Sequence, residues 1–104
     1  MRSEVLKGHV DTLLLATVAA EPAHGYLIVE RLKQRTGGAL ALGEGTVYPA
    51  LYRLEAAGLL TSRWSRESGR KRRIYSLTAR GRTALETGHS EWQRLSQVME
   101  AVLS

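Results

Sequence analysis

Cysteine and phenylalanine are absent from the 104 residues, and proline occurs only twice. Without cysteine there are no disulfides and no thiolate sites for zinc or iron–sulfur clusters, which fits a reducing compartment. Without phenylalanine, the core must be built from Leu, Val, Ala, two Trp and four Tyr. Long apolar runs are missing too. The longest, Leu13 to Ala20, covers eight residues with Thr17 inside it, against the roughly 20 that a membrane-spanning helix needs. Val18-Ala19-Ala20 has the look of a secretory cleavage site, but Glu4, His9 and Asp11 upstream do not suit a signal peptide. A cytoplasmic protein with no membrane partner is therefore expected.

Catalytic patterns are equally scarce. His9, His24 and His89 share no nucleophile or metal spacing. Glu86 and His89 form one Glu-x-x-His step of the kind found in di-iron bundles, but the matching glutamates on other helices are lacking. The chain is expected to be no enzyme, with no catalytic residue, no metal and no cofactor.

What the chain has is a core-forming share of apolar residues, 43%, and a length that suits one domain. Its net charge of +5 is concentrated. Arg63, Arg66, Arg70, Lys71, Arg72, Arg73, Arg80 and Arg82 face a single acid, Glu67, in that stretch, a local balance of +7 that leaves −2 for the remainder. A concentrated positive field suggests a polyanion partner, and a solvated Arg-rich loop is the bland alternative.

Periodicity predicts a first helix from about Val5 to Ala20, with contact on several sides after Thr12, and a second from about Gly25 to Thr36. In the second, Tyr26, Val29 and Leu32 share a face, and Gly37-Gly38 supplies the stop. Leu40 to Leu42 reads as an extended link or single strand. The third helix lies in "GTVYPALYRLEAAGLL", Gly45 to Leu60. Val47, Ala50, Leu51 and Leu54 form its inner face at 100° per residue. Gly45, Pro49, Tyr52 and Ala56 point the opposite way, flanked by Thr46, Tyr48 and Arg53. Pro49 has no N–H, which puts the regular start near Gly45 or Thr46, or else kinks the first turn. Gly58 ends the helix.

Leu59 to Arg66 and Lys71 to Leu77 then read as strands of a hairpin turning at Glu67 to Arg70. Thr78 caps a last helix of about 25 residues. There Leu85, Gly88, Trp92, Leu95, Met99 and Val102 alternate three- and four-residue steps, a coiled-coil-like seam that a second copy can cover. The alternative is that it packs only on the first helix of its own chain. The fold class is thus mainly α with a small β-hairpin: a winged helix-turn-helix over residues 1–77 and a long C-terminal dimerisation helix over 78–104.

This order offers the third helix to the major groove of double-stranded DNA and the hairpin, as a wing, to the backbone. The expected DNA-binding residues are Gly45, Thr46, Tyr48, Pro49, Tyr52 and Arg53 on the helix and Arg70, Lys71 and Arg72 on the wing. Each tyrosine can equally be a ring that covers the core. Trp64 reads as a packing residue of the hairpin. A winged-helix protein-interaction module without DNA binding is the alternative function.

Three blocks carry a family resemblance: His24-Gly25-Tyr26, "GTVYPALYRLEAAGLL", and "RRIYSLTARG" from Arg72 to Gly81. On these the chain resembles the PadR-like family of winged-helix transcriptional regulators, in its short branch with one helix beyond the wing. Gly43-Glu44 departs from the pattern, in which a serine often caps the recognition helix. The resemblance implies a homodimer on a palindromic operator, usually acting as a repressor. It also implies an effector in some short relatives, where planar aromatic compounds stack on a tryptophan between subunits. Trp92 beside Gly88 suits that effector site, or else Trp92 is an interface anchor alongside Leu85, Leu95, Met99 and Val102.

Overall fold

The computed structural model describes residues 1, 3–67 and 69–104. Among these described residues, five helices and one hairpin follow in order: α1 (Ser3–Leu6), α2 (Val10–Ala20), α3 (Gly25–Arg35), α4 (Glu44–Ala56), β1 (Leu60–Ser65), β2 (Arg72–Leu77) and α5 (Ala79–Leu103). The architecture is the winged helix-turn-helix with a long terminal helix that the sequence predicts.

The single helix expected over Val5 to Ala20 is two. Gly8 sits at φ 88°, in the left-handed region that only glycine enters freely, and breaks the helix after Leu6. The break lets Leu6 tuck into the core. Beyond it, α2 is the central rod. Leu14, Leu15, Thr17 and Val18 are buried, and it packs against α3, α4, α5 and β2. The Thr17 hydroxyl donates to the Leu13 carbonyl at 2.8 Å, so its burial leaves no orphan donor.

Helix α3 ends as expected, with Gly37 and Gly38 at positive φ and the Gly38 N–H donating to the Lys33 carbonyl at 2.8 Å. Its inner face differs from the expectation. Gly25, Ile28 and Leu32 are buried, whereas Tyr26 points to solvent. Leu40 to Leu42 forms no strand, although Leu40 and Leu42 insert into the core on either side of exposed Ala41.

The hairpin register pairs Leu60 with Leu77 and Ser65 with Arg72; the first strand is one residue shorter than predicted at each end and the second one residue shorter at its start. Ser68, part of the predicted turn, lies outside the described residues. A further bridge, absent from the sequence reading, ties the hairpin to the helices: Tyr75 and Ala23 exchange both backbone hydrogen bonds, at 2.9 and 3.1 Å. Thr78 caps α5 as predicted, accepting from the Gly81 N–H at 3.0 Å, and its hydroxyl also donates to the Gly58 carbonyl at 2.7 Å.

Helix α5 meets the body as far as Gly88. Gly81 is buried against the Leu59 carbonyl and Leu77. Gly88 faces Thr12, whose Cγ2 lies 3.1 Å from where a Cβ would stand. The rest of the helix projects. The radius of gyration is 14.6 Å, above the ~13 Å of a compact chain this long.

Candidate nucleic-acid interface

Helix α4 divides cleanly. Val47, Ala50, Leu51 and Leu54 are buried, as 100° spacing requires, while Gly45, Thr46, Pro49, Tyr52, Arg53 and Ala56 are exposed. The helix begins at Glu44, slightly earlier than Pro49 led us to expect. Pro49 therefore lies in the second turn, on the water side. The carbonyl left without a donor is that of Gly45, also exposed, so water satisfies it and the proline costs less than it would inside.

No side chain caps α4. Gly43, the N-cap, is extended, and its carbonyl accepts from the N–H groups of Thr46 and Val47, both at 3.1 Å. The N–H groups of Glu44 and Gly45 precede the first intrahelical donors, so this end carries the positive pole that favours a phosphate. The Glu44 carboxylate, in the same turn, opposes that field for an approaching polyanion.

The structure sorts the three aromatic or cationic residues expected on this helix. Tyr52 stands free, 76% exposed. Tyr48 has a packing task, because its ring lies over Gly25 and a Cβ there would come within 2.7 Å of its Cζ. Gly25 thus lets α3 and α4 close, and Tyr48 remains partly open to solvent. Arg53 is paired. Its Nη1 and Nη2 donate to the two Asp11 oxygens at 2.9 and 2.7 Å, and the pair is largely exposed. Reaching DNA with this guanidinium means opening or sharing that fork.

The wing sits beside α4. Arg70, Lys71 and Arg73 are exposed and Arg72 is half-buried. Trp64, read from sequence as hairpin packing, is 56% exposed, with Lys71 Nζ 4.6 Å and Arg73 Cζ 5.1 Å from its ring centroid. Between wing and helix runs a groove of about 810 Å³ bounded by Tyr26, Glu44, Tyr48, Trp64 and Lys71. Sequence reasoning missed Tyr26, Asp11 and Arg73 here. The register of the hairpin carried a signal for Arg73, which faces Trp64 directly.

Two groups behind the groove are shifted. Burial, then the positive charges of Arg72 and Arg31, holds the His24 imidazole below its usual range. Its Nε2 is buried without a partner among the described residues, and the ring stacks on Tyr26 at 6.4 Å. Burial, then the Glu55 carboxylate, pushes the Tyr75 phenol up.

The seam residues of α5 separate into two groups. Leu85 is partly buried against α2, and Gly88 serves the close approach to Thr12 within the chain. Trp92, Leu95, Met99 and Val102 are exposed, together with Val98 and Leu103. Trp92 and Leu95 border an apolar hollow of about 670 Å³ shared with Val5, Leu13 and Ala16. Among the described residues no helix is long and apolar enough to cross a membrane, and no cluster of three or more His, Asp or Glu could hold a metal.

Known proteins share this arrangement. A transcriptional regulator from Clostridium thermocellum superposes with a TM-score of 0.90 at 27% identity, covering 97% of this chain and 99% of that one. A PadR family transcription regulator from Clostridium difficile gives 0.82 at 33% identity, over 92% of this chain and 99% of its own. In sequence, a transcriptional regulator of Mycobacterium tuberculosis is 34% identical over 94 residues, 90% of this chain and 85% of the relative. The model of the transcriptional regulator PadR-like family matches residues 14–87, from α2 through the wing into α5. These relatives are regulators rather than enzymes, and the chain belongs to the PadR-like family of transcriptional regulators.

Proposed function

We propose that the chain is a sequence-specific DNA-binding repressor that works as a homodimer on a palindromic operator, in the cytoplasm. Residues 1–77 are the DNA-binding unit and 78–104 the dimerisation helix. The observation that carries this reading is the outer face of α4, where Gly45, Thr46, Pro49 and Tyr52 stand in solvent beside a wing bearing Arg70, Lys71 and Arg72. Thr46 and Tyr52 meet base edges or thymine methyls, and the wing cations meet phosphates. Tyr48 contributes from its exposed part, and Arg53 once its fork with Asp11 is shared. Two such helices in a dimer read half-sites about 34 Å apart.

A small effector is a second element of the reading, favoured by Trp92 at the rim of an apolar hollow. A planar aromatic compound is the class that stacks on an exposed indole. Gly88 lies one turn before Trp92, and its closeness to Thr12 ties it to packing within the chain.

The test is titration with duplex DNA at several salt concentrations. Each phosphate contact contributes about 0.9 to the slope of log affinity against log salt. The Arg70→Ala/Arg72→Ala variant is expected to weaken binding to every duplex and to flatten the slope by nearly two. A wild-type chain indifferent to duplex at low salt supports the protein-interaction alternative instead.

A further inference from the structure

Trp64 lacks the surroundings of a core residue, yet it is not idle. Arg73 stands directly opposite it in the hairpin, and Lys71 precedes Arg73 by two residues, just before β2 begins. Both cations lie over the indole, at 4.6 Å for Lys71 Nζ and 5.1 Å for Arg73 Cζ. Arg73 is itself held from the other side. Its Nε donates to Ser62 Oγ at 2.6 Å and lies 3.7 Å from Glu55 Oε1, while Ser62 Oγ donates to Glu55 Oε2 at 2.7 Å. Glu55 belongs to the last turn of α4. A continuous set of contacts therefore runs from the recognition helix, through Ser62 and Arg73, to the indole and on to Lys71 near the wing tip.

The two cations differ in what they have left to give. Arg73 is partly neutralised by Glu55, whereas among the described residues no carboxylate bridges Lys71. We infer that Trp64 is a positioning residue: braced through Arg73 against α4, its ring holds the Lys71 ammonium at a set distance from the recognition helix, ready for a DNA phosphate. The inference rests on the DNA-binding reading above. A free lysine has four rotatable bonds to order on binding, and ordering it beforehand removes part of that cost. The attraction of an ammonium to an indole face is weak enough at an exposed site that a phosphate can share the charge.

The test uses the full chain and a mixed-sequence duplex of about thirty base pairs at low salt, since phosphate contacts do not depend on sequence. Trp64→Leu is expected to weaken binding roughly threefold to tenfold with the salt slope nearly unchanged, because the lysine is still present but unordered. Trp64→Phe, which keeps an aromatic face, recovers most of the loss. Lys71→Ala lowers the slope by about 0.9, and in that background Trp64→Leu adds less than about twofold. Melting temperatures of all variants stay close to wild type, as the ring is exposed. Equal losses from Trp64→Leu with and without Lys71 would mean the indole touches DNA itself and would overturn the inference. Tighter binding by Trp64→Leu would overturn it as well, showing that the ring withholds the cation. A wild type that binds no duplex removes the DNA-binding reading, and this one with it.

Discussion

Replacing Leu95 with glutamate is the sharpest probe of the terminal helix. In one chain Trp92, Leu95, Val98, Met99, Val102 and Leu103 are between 46 and 77% exposed, on a rod that leaves the body after Gly88. Fully burying a side chain of this size is worth about 1.5–3 kcal/mol, so covering the open half of Leu95 contributes about 1 kcal/mol per copy. A glutamate in its place loses that term and also puts an unpaired carboxylate into an apolar seam, which costs about 3–5 kcal/mol once it is desolvated. Even one such penalty, shared across the dimer, raises the dissociation constant by about a thousandfold, at 1.4 kcal/mol per decade. Sedimentation velocity from about 0.1 to 100 µM, a range chosen to span the ~8 kcal/mol of a micromolar dimer, should show a dimer for wild type and a monomer for Leu95→Glu. The melting temperature of the helical body should hardly move, because Leu95 lies outside the core. A wild type that is monomeric across that range, or a variant whose dissociation constant shifts by less than about threefold, refutes the assignment of this stripe to a second copy.

Three further perturbations test other joints of the structure. Thr78→Ala removes both the cap on Gly81 and the bond to the Gly58 carbonyl, and should cost about 1–2 kcal/mol, lowering the melting temperature by several degrees while Thr78→Ser does not. His24 has a folded-state pKa below its unfolded value of 6.5, so the unfolded chain binds the proton first as pH falls; stability is full above about 6.5 and should decline below it, and chemical denaturation of His24→Asn against wild type between pH 7.5 and about 5 should show a flatter dependence for the variant. Asp11→Asn opens the exposed fork to Arg53 at a stability cost below about 1 kcal/mol. It also removes an acid from the face proposed to meet DNA, so duplex affinity at low salt should rise and the salt slope steepen by up to about 0.9. An unchanged slope would show that Arg53 takes no part in binding.

Features whose cause is local were legible in the sequence. Val47, Ala50, Leu51 and Leu54 repeat at helical spacing within one short segment, and all four are buried. Thr78 before a long amphipathic stretch announces a cap, and the hydrogen bond is there. The wing is visible as charge alone, because its cations are neighbours in the chain. Where the reading slipped, a single residue tipped a balance. Gly8 split the first helix because a left-handed turn buries Leu6 at less cost than glycine in mid-helix would allow. Tyr26 counted as apolar and drew the expected inner face of α3 away from Ile28.

What the sequence could not convey are the contacts that join distant segments, and these decide what the surface residues are free to do. Arg53 and Asp11 are separated by 42 positions, and no spacing rule links them. Their fork turns a residue that the sequence offers to DNA into one already engaged. Gly88 and Thr12 are a second instance. From sequence alone a glycine one turn before a seam tryptophan suggests space for a ligand, yet its missing side chain is used by a threonine on α2. Tyr48 and Gly25 are a third: the tyrosine that the helix displays outward is also the ring that sets how closely α3 and α4 approach. In each pair one partner has a local pattern suggesting function and the other supplies a packing reason that only tertiary structure reveals. Substituting the second partner therefore separates the two roles better than substituting the first. Asp11→Asn frees Arg53 without removing it, and Thr12→Ser removes the methyl packed at Gly88 while leaving Trp92 whole. If the surface residues act on DNA or ligand directly, such second-partner changes should tune binding while leaving the helices intact.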